Sequence, residues 1–291
     1  MSAIIGLGKK GCLLARQFQQ YPQYRVFMVG VGLKGVANLP LNPETDMESY
    51  EKNFPSTEAA IYFRSLGRGD EVTLILEGGD PLVGCSLSLM RLIKECSIRV
   101  IYLTTDRESM TASQKRDDKI AFGILQEYAR SGAVEEICLV SLPTVEELVG
   151  DVPVGNYEHS LFYFISYTLA TLDFFMQDEA VFSTSVNAPL GARIFTLGVA
   201  SITDGAITEF RWLYPLEKRL NVHFIYGVPA SSLSEDTSLM GKIKAHVKNE
   251  MTNTSASGGF SVFESSQSDM LIFGIARSAT VQSFPLSVGA I

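Results

Sequence analysis

The stretch Val72-Thr73-Leu74-Ile75-Leu76-Glu77-Gly78-Gly79-Asp80-Pro81-Leu82-Val83-Gly84 decides how the chain reads. An apolar run, Val72–Leu76, has the length of a buried strand, and a turn rich in glycine and proline ends it. A helix over Ser86–Cys96 follows, with Leu89, Leu92 and Ile93 on one face. The N-terminus repeats this order. Ala3–Ile5 predicts a strand, Gly6-Leu7-Gly8-Lys9-Lys10-Gly11 a G-x-G-x-x-G turn, and Gly11–Gln20 a helix. Glycines let backbone approach closely, and a helix N-terminus presents free N–H groups and positive dipole to a phosphate. The second strand, Arg25–Gly30, ends in VGVGLKG without the acidic residue that a dinucleotide enzyme places there.

Working outward, the first half alternates strands and amphipathic helices. After a Pro/Asn-rich loop at Asn38–Pro43 come a helix near Thr57–Leu66, a strand Val100–Thr104, a helix Ala112–Ser131 and a strand Glu136–Leu142 ended by Pro143. Such alternation predicts a parallel sheet covered on both faces, with ligands bound at the carboxyl ends of its strands. The long helix Tyr157–Gln177 holds the apolar run Leu161–Met176, interrupted by Asp173. A membrane span needs roughly 20 apolar residues, so this run predicts a helix buried between protein layers. Strands then follow at Ile194–Ile202, Val222–Val228, Phe260–Glu264 and Met270–Ala276. One helix, Glu235–Asn249 capped by Ser234, lies among them, and FSVFESSQSDMLIFGIAR predicts an antiparallel hairpin. The expected organisation is α/β: a Rossmann-like nucleotide-binding domain (1–156), a central helix (157–178) and an α+β domain (179–291).

Composition excludes several classes. The net charge of −8 and pI near 5.0, with no run of four basic residues, argue against a nucleic-acid coat. Cys12, Cys85, Cys96 and Cys138 form no C-x-x-C pair, and His159, His223 and His246 lie far apart. A zinc site is not expected, and a reducing, cytoplasmic compartment is. The opening residues do not read as a signal peptide.

In order along the chain, these elements resemble the tubulin/FtsZ superfamily. The passage at Gly78, Gly79 and Gly84 occupies the place of that family's G-G-G-T-G-[ST]-G signature, and Lys94-Glu95 follows as in FtsZ. RVIYLTTDRESMTASQKRDDKIAFGILQE continues the likeness, with Arg116 and Gly123 on matching positions. ARIFTLGVASI and YPLEKRLNVHFIYGVPASSLSEDTSLMGKIKAHVKNEM resemble segments of FtsZ's second domain, so the likeness covers roughly residues 3–280. It implies GTP as ligand, with Mg²⁺, held by Gly6, Gly8, Gly11, Gly78, Gly79, Gly84, Arg116 and Asn156. Asn156 is a tubulin-like base contact or, equally, a cap for the long helix.

The departures from the family cluster on its chemistry. Asp80, Pro81 and Leu82 replace a glycine, the threonine and another glycine of the signature. A carboxylate repels phosphate, and proline removes an N–H donor; Asp80 reads as a turn residue before proline or as a metal ligand. Ala112 stands where the family has a sugar-contacting glutamate and Thr144 where it has an asparagine, while its guanine-reading aspartate falls near His159 or Ser160. The family's N-x-D-x-x-[DE] loop, which acts on the next subunit's GTP, is not kept in DFFMQDEAVFSTSVNAPLGARI, although Asp173, Asp178 and Glu179 lie nearby.

Three functions fit these residues. The first is a cytoskeletal protein assembling head-to-tail with itself, a pseudo-GTPase with hydrolysis weak or lost. The second is a non-polymerising scaffold within a larger assembly, similar to phage and plasmid relatives, with Glu209–Tyr214 (EFRWLY) as either a partner surface or core packing. The third, supported only by the first glycine turn, is a Rossmann-type metabolic enzyme.

Overall fold

Six strands are described in the part of the chain up to Tyr167: β1 (Ser2–Leu7), β2 (Tyr24–Val31), β3 (Asn38–Leu41), β4 (Glu71–Glu77), β5 (Ser97–Thr104) and β6 (Glu136–Ser141). All neighbours run parallel, in the order β3-β2-β1-β4-β5-β6. Their apolar runs are buried almost without alternation, as in Ile4, Ile5, Leu74, Ile75, Leu76, Val100 and Ile101, because helices cover both faces. These helices are α1 (Gly8–Gln17), α2 (Met47–Lys52), α3 (Ser56–Tyr62), α4 (Cys85–Leu92), α5 (Ala112–Ser131) and α6 (Leu142–Val149). The computed structural model describes residues 2–35, 38–184, 191–200, 202–203, 206–207, 210–252 and 254–279.

The region expected to be a loop at Asn38–Pro43 begins as a strand. β3 pairs parallel with β2 through Met28↔Asn38 to Val31↔Leu41. Leu39 and Leu41 point inward while Pro40 between them is exposed, and an edge strand tolerates the missing N–H. Pro143 falls in the first turn of α6, where an N–H would be unpaired in any case, so it starts a helix as well as ending a strand. α5 opens with a capping box, Thr111 with Gln114, and closes on Gly132 in the left-handed region at φ +83°.

Helix α7 (Tyr157–Gln177) contains the division between the two units, at Tyr167 and Thr168. It is not enclosed all round. Leu161, Phe162, Ile165, Leu169, Leu172 and Phe175 are buried, whereas Tyr163, Phe174 and Met176 are exposed. Among the described residues, no helix is long and apolar enough to cross a membrane.

From Thr168 the described residues form the second unit. Its strands are β7 (Phe182–Ser183), β8 (Ile194–Ala200), β9 (Ile202–Thr203), β10 (Ala206–Ile207), β11 (Arg211–Trp212) and β12 (Asn221–Pro229), then β13 (Ser257–Ser265) and β14 (Leu271–Ser278). The helix expected over Glu235–Asn249 forms as α9 (Leu239–Met251), about a turn later, and a short helix that was not expected, α8 (Ala230–Glu235), precedes it. Asp236 breaks them apart: its carboxylate accepts from the Ser238 N–H at 2.9 Å and pairs with Lys242 at 2.9 Å. Ser234, the expected cap, lies inside α8, and its hydroxyl donates to the carbonyls of Ala230 and Ser231.

The expected β13–β14 hairpin does not form. β12 lies between the two, parallel to β13 and antiparallel to β14, in the order β8-β14-β12-β13-β7. The crossover through α8 and α9 makes β13 parallel to β12, and the chain then passes over β12 to reach its other edge. Of the two readings of EFRWLY, core packing describes residues 210–214, and Glu209 lies outside the described residues. Phe210, Leu213 and Tyr214 are buried, and β11 pairs with β8 so that Trp212 lies beside Gly198. Gly198 and Gly274 face each other across β8 and β14, and a Cβ on either would strike the rings of Phe210 and Trp212. The paired glycines form a floor for those rings.

Candidate nucleotide site

The first unit's strand order reverses between β1 and β4. The chain leaves β1 toward β2 and β3, then returns to build β4, β5 and β6 on the other side. The crevice at the carboxyl ends of β1 and β4 is therefore the topological switch point, where open α/β sheets bind ligands. Both glycine turns sit there: Gly6, Gly8 and Gly11 at β1–α1, and Gly78, Gly79 and Gly84 after β4.

What these glycines make room for is mostly protein. A Cβ on Gly6 would meet the Gly11 carbonyl and the Ala15 side chain, and one on Gly11 would stand 2.8 Å from the Ile75 carbonyl. These two residues seat α1 on the sheet. A Cβ on Gly84 would collide with the Met47 carbonyl of α2, and one on Gly78 with the Asp118 carboxylate and Tyr102 hydroxyl. Gly8 is in the left-handed region at φ +76°, and the Asp80 carboxylate lies directly against it. Gly79 also has positive φ, +80°, as its tight turn requires.

Carboxylates dominate this crevice. Asp80 caps the 3-10 turn Pro81–Gly84 by accepting from the Leu82 N–H at 3.0 Å. Burial raises its pKa, opposed by that hydrogen bond and by Lys10. The turn-residue reading of Asp80 thus describes its geometry. Burial also raises Glu77, against the pull of Lys10, whose Nζ lies 2.7 Å away. Asp118, on α5, is almost wholly buried. It accepts from the Tyr102 hydroxyl at 2.6 Å and lies 3.5 Å from Arg107, while burial lifts its pKa.

Four of the turn's own donors have partners within the protein. The Gly78 N–H donates to the Leu103 carbonyl at 2.8 Å, Asp80 to Glu77, Leu82 to the Asp80 side chain and Val83 to the Asp80 carbonyl. Pro81 has no N–H. An anion cradle needs several free N–H groups converging on one point, and those four donors already have partners. Four of the donors that such a cradle would draw on are therefore already in use here. Among the described residues no group of three or more His, Cys, Asp or Glu is placed to hold a metal ion.

The remaining expected residues are dispersed. Arg116 is exposed on α5 and pairs with Asp117 at 3.1 Å. Asn156 is exposed in the 3-10 turn Val154–Asn156 just before α7. Lys9 and Glu158 pair at 2.9 Å, which joins the starts of α1 and α7, and His159 stacks on Tyr163 with centroids 6.0 Å apart. Ala112 and Thr144 begin α5 and α6. Asp178 and Glu179 are exposed past the end of α7, and the loop segment 185–190 lies outside the described residues. Sequence reasoning missed Lys10, Glu77, Tyr102, Arg107 and Asp118. One signal was available: Asp118 shares a helix face with the buried Ala121, Phe122 and Leu125, so a charge sits on an apolar stripe.

No family profile matches the sequence, and no curated protein does. Solved structures do. A GTPγS-form protofilament of TubZ from Bacillus thuringiensis serovar israelensis superposes with TM-score 0.71 at 12% identity, covering 98% of this chain and 87% of that one. The chain has the tubulin/FtsZ fold. An empty FtsZ dimer from M. jannaschii gives TM-score 0.62 at 9% identity over 100% of this chain and 94% of that one. A TubZ of type III plasmid segregation gives 0.64 at 13%, covering 98% and 88%. The tubulin/FtsZ fold thus spans the chain nearly end to end, and at these identities the likeness speaks for the fold alone.

Proposed function

We propose that this chain is a structural protein of the tubulin/FtsZ type that assembles head-to-tail with itself and does so without using GTP as a switch. The observation that carries the second half is Asp80. Its carboxylate lies against Gly8 at the start of α1, and the turn around it has engaged four of its own N–H groups. A phosphate approaching that helix end would meet a negative charge, and four N–H groups of the neighbouring turn are already bonded. Assembly is supported by the fold, which this chain shares with proteins solved as protofilaments and filaments, and by the large apolar side chains exposed at the end of α7 and just after it, Phe174, Met176 and Val181.

Calorimetric titration with GTP and Mg²⁺, with NADH as control, tests the degenerate site, and sedimentation with electron microscopy tests assembly. The expected result is no saturable GTP binding in the micromolar range, with filaments that form equally with and without nucleotide. GTP-stimulated turnover would sink the degenerate-site reading. A monomer that persists at high concentration would turn the assignment to a scaffold subunit, and saturable NADH binding would turn it to a metabolic enzyme.

A further inference from the structure

Away from the switch-point crevice, the first unit has a pocket of about 260 Å³ between β3, α2, α3 and the start of α4. Leu39, Leu41, Tyr50 and Phe54, all buried, are among its walls. Glu44 and Glu58 also line it, and no lysine, arginine or histidine does among the described residues. Glu44 is held in place by Asn53, whose amide donates to one carboxylate oxygen at 3.0 Å. The volume lies just under the roughly 300–1,000 Å³ of drug-sized sites, so the pocket suits a small molecule.

The charge on this pocket has one sign. Its Cys85 thiol donates to the Tyr50 carbonyl at 3.4 Å and is pushed up to about 12, by burial first and then by the negative charges of Asp80, Glu44 and Glu51. An anion entering would meet two carboxylates, and a neutral molecule would leave them unused. A compact apolar body with one positive group satisfies both the walls and the carboxylates. We propose that this pocket binds a small amphipathic cation, an apolar body carrying a single ammonium or guanidinium group. The site adjoins the glycine turn, because Cys85 follows Gly84 and the Gly84 backbone packs on the Met47 carbonyl of α2.

The test is a ligand-observed NMR titration of the full chain with phenethylamine, its neutral analogue phenethyl alcohol, and phenylacetate. The amine is expected to bind about tenfold more tightly than the alcohol, the size of one charge-assisted hydrogen bond, and phenylacetate not at all. Glu44→Gln should reduce the preference for the amine, and Leu41→Trp, which fills the pocket, should abolish binding of both. Absence of saturable amine binding, equal affinities for amine and alcohol, or undiminished binding to a folded Leu41→Trp chain would overturn the proposal. If Leu41→Trp does not fold, the double variant Glu44→Gln/Glu58→Gln decides: an undiminished amine preference overturns the site, and its loss supports it.

Discussion

Asp80 performs two tasks with one carboxylate. It caps the 3-10 turn, and it places negative charge at the start of a helix whose own N-cap, Leu7, offers no side-chain acceptor. Asp80→Ala should therefore cost about 1 kcal/mol, the usual loss of a capping residue, read as a lower urea midpoint. Asp118 separates packing from charge. Asp118→Ala leaves the buried Tyr102 hydroxyl without its 2.6 Å acceptor and should cost about 1–3 kcal/mol, whereas Asp118→Asn keeps an acceptor and should cost less in the same melts. At this scale the sequence located the glycine turns correctly and noted what a carboxylate and a proline do to a phosphate site. It did not show that the glycines accommodate Asp80, Asp118 and Met47, because packing contacts between residues more than 30 positions apart leave no local pattern.

Elements were legible where their period was long and regular. Ala112–Ser131 and Tyr157–Gln177 form as read, since each carries an apolar stripe over five turns or more. Strand existence was legible too, but strand order was not: the five residues joining β13 to β14 suit a hairpin and equally a step across one intervening strand. Gly198 and Gly274 read as unremarkable strand glycines until β8 and β14 are paired. Gly274→Ala should destabilise the second unit by about 1–3 kcal/mol, the cost of overpacking, and near-ultraviolet circular dichroism of Trp212 should report it. On α7, Phe174→Ser with Met176→Ser changes two exposed residues. Stability should stay within about 0.5 kcal/mol while sedimenting assemblies diminish; unchanged sedimentation would remove these side chains from the assembly surface.

Across the whole molecule the two units respond to acid in opposite directions. Glu77, Asp80 and Asp118 have pKa values raised by burial, so their contribution to stability is complete below ordinary carboxylate values and is lost as pH rises through the raised ones. His223 and His246, in the second unit, are lowered from 6.5, mainly by burial. Their contribution is complete above 6.5 and is lost as pH falls through the lowered values. Asp46, Asp70 and Asp236 have lowered pKa values and act only at still lower pH. Taking the chain from about pH 7 to about pH 5 should therefore weaken the second unit and relieve the first, separating two calorimetric transitions. A single transition moving as one would contradict this. The place of β14 has a further consequence, for biosynthesis. Among the described strands of the sheet it is the last in chain order, yet it stands between β8 and β12. Until residues 271–278 emerge, both neighbours present bare edges, so the nascent second unit waits unfinished and open to mispairing, a window in which a chaperone has something to hold.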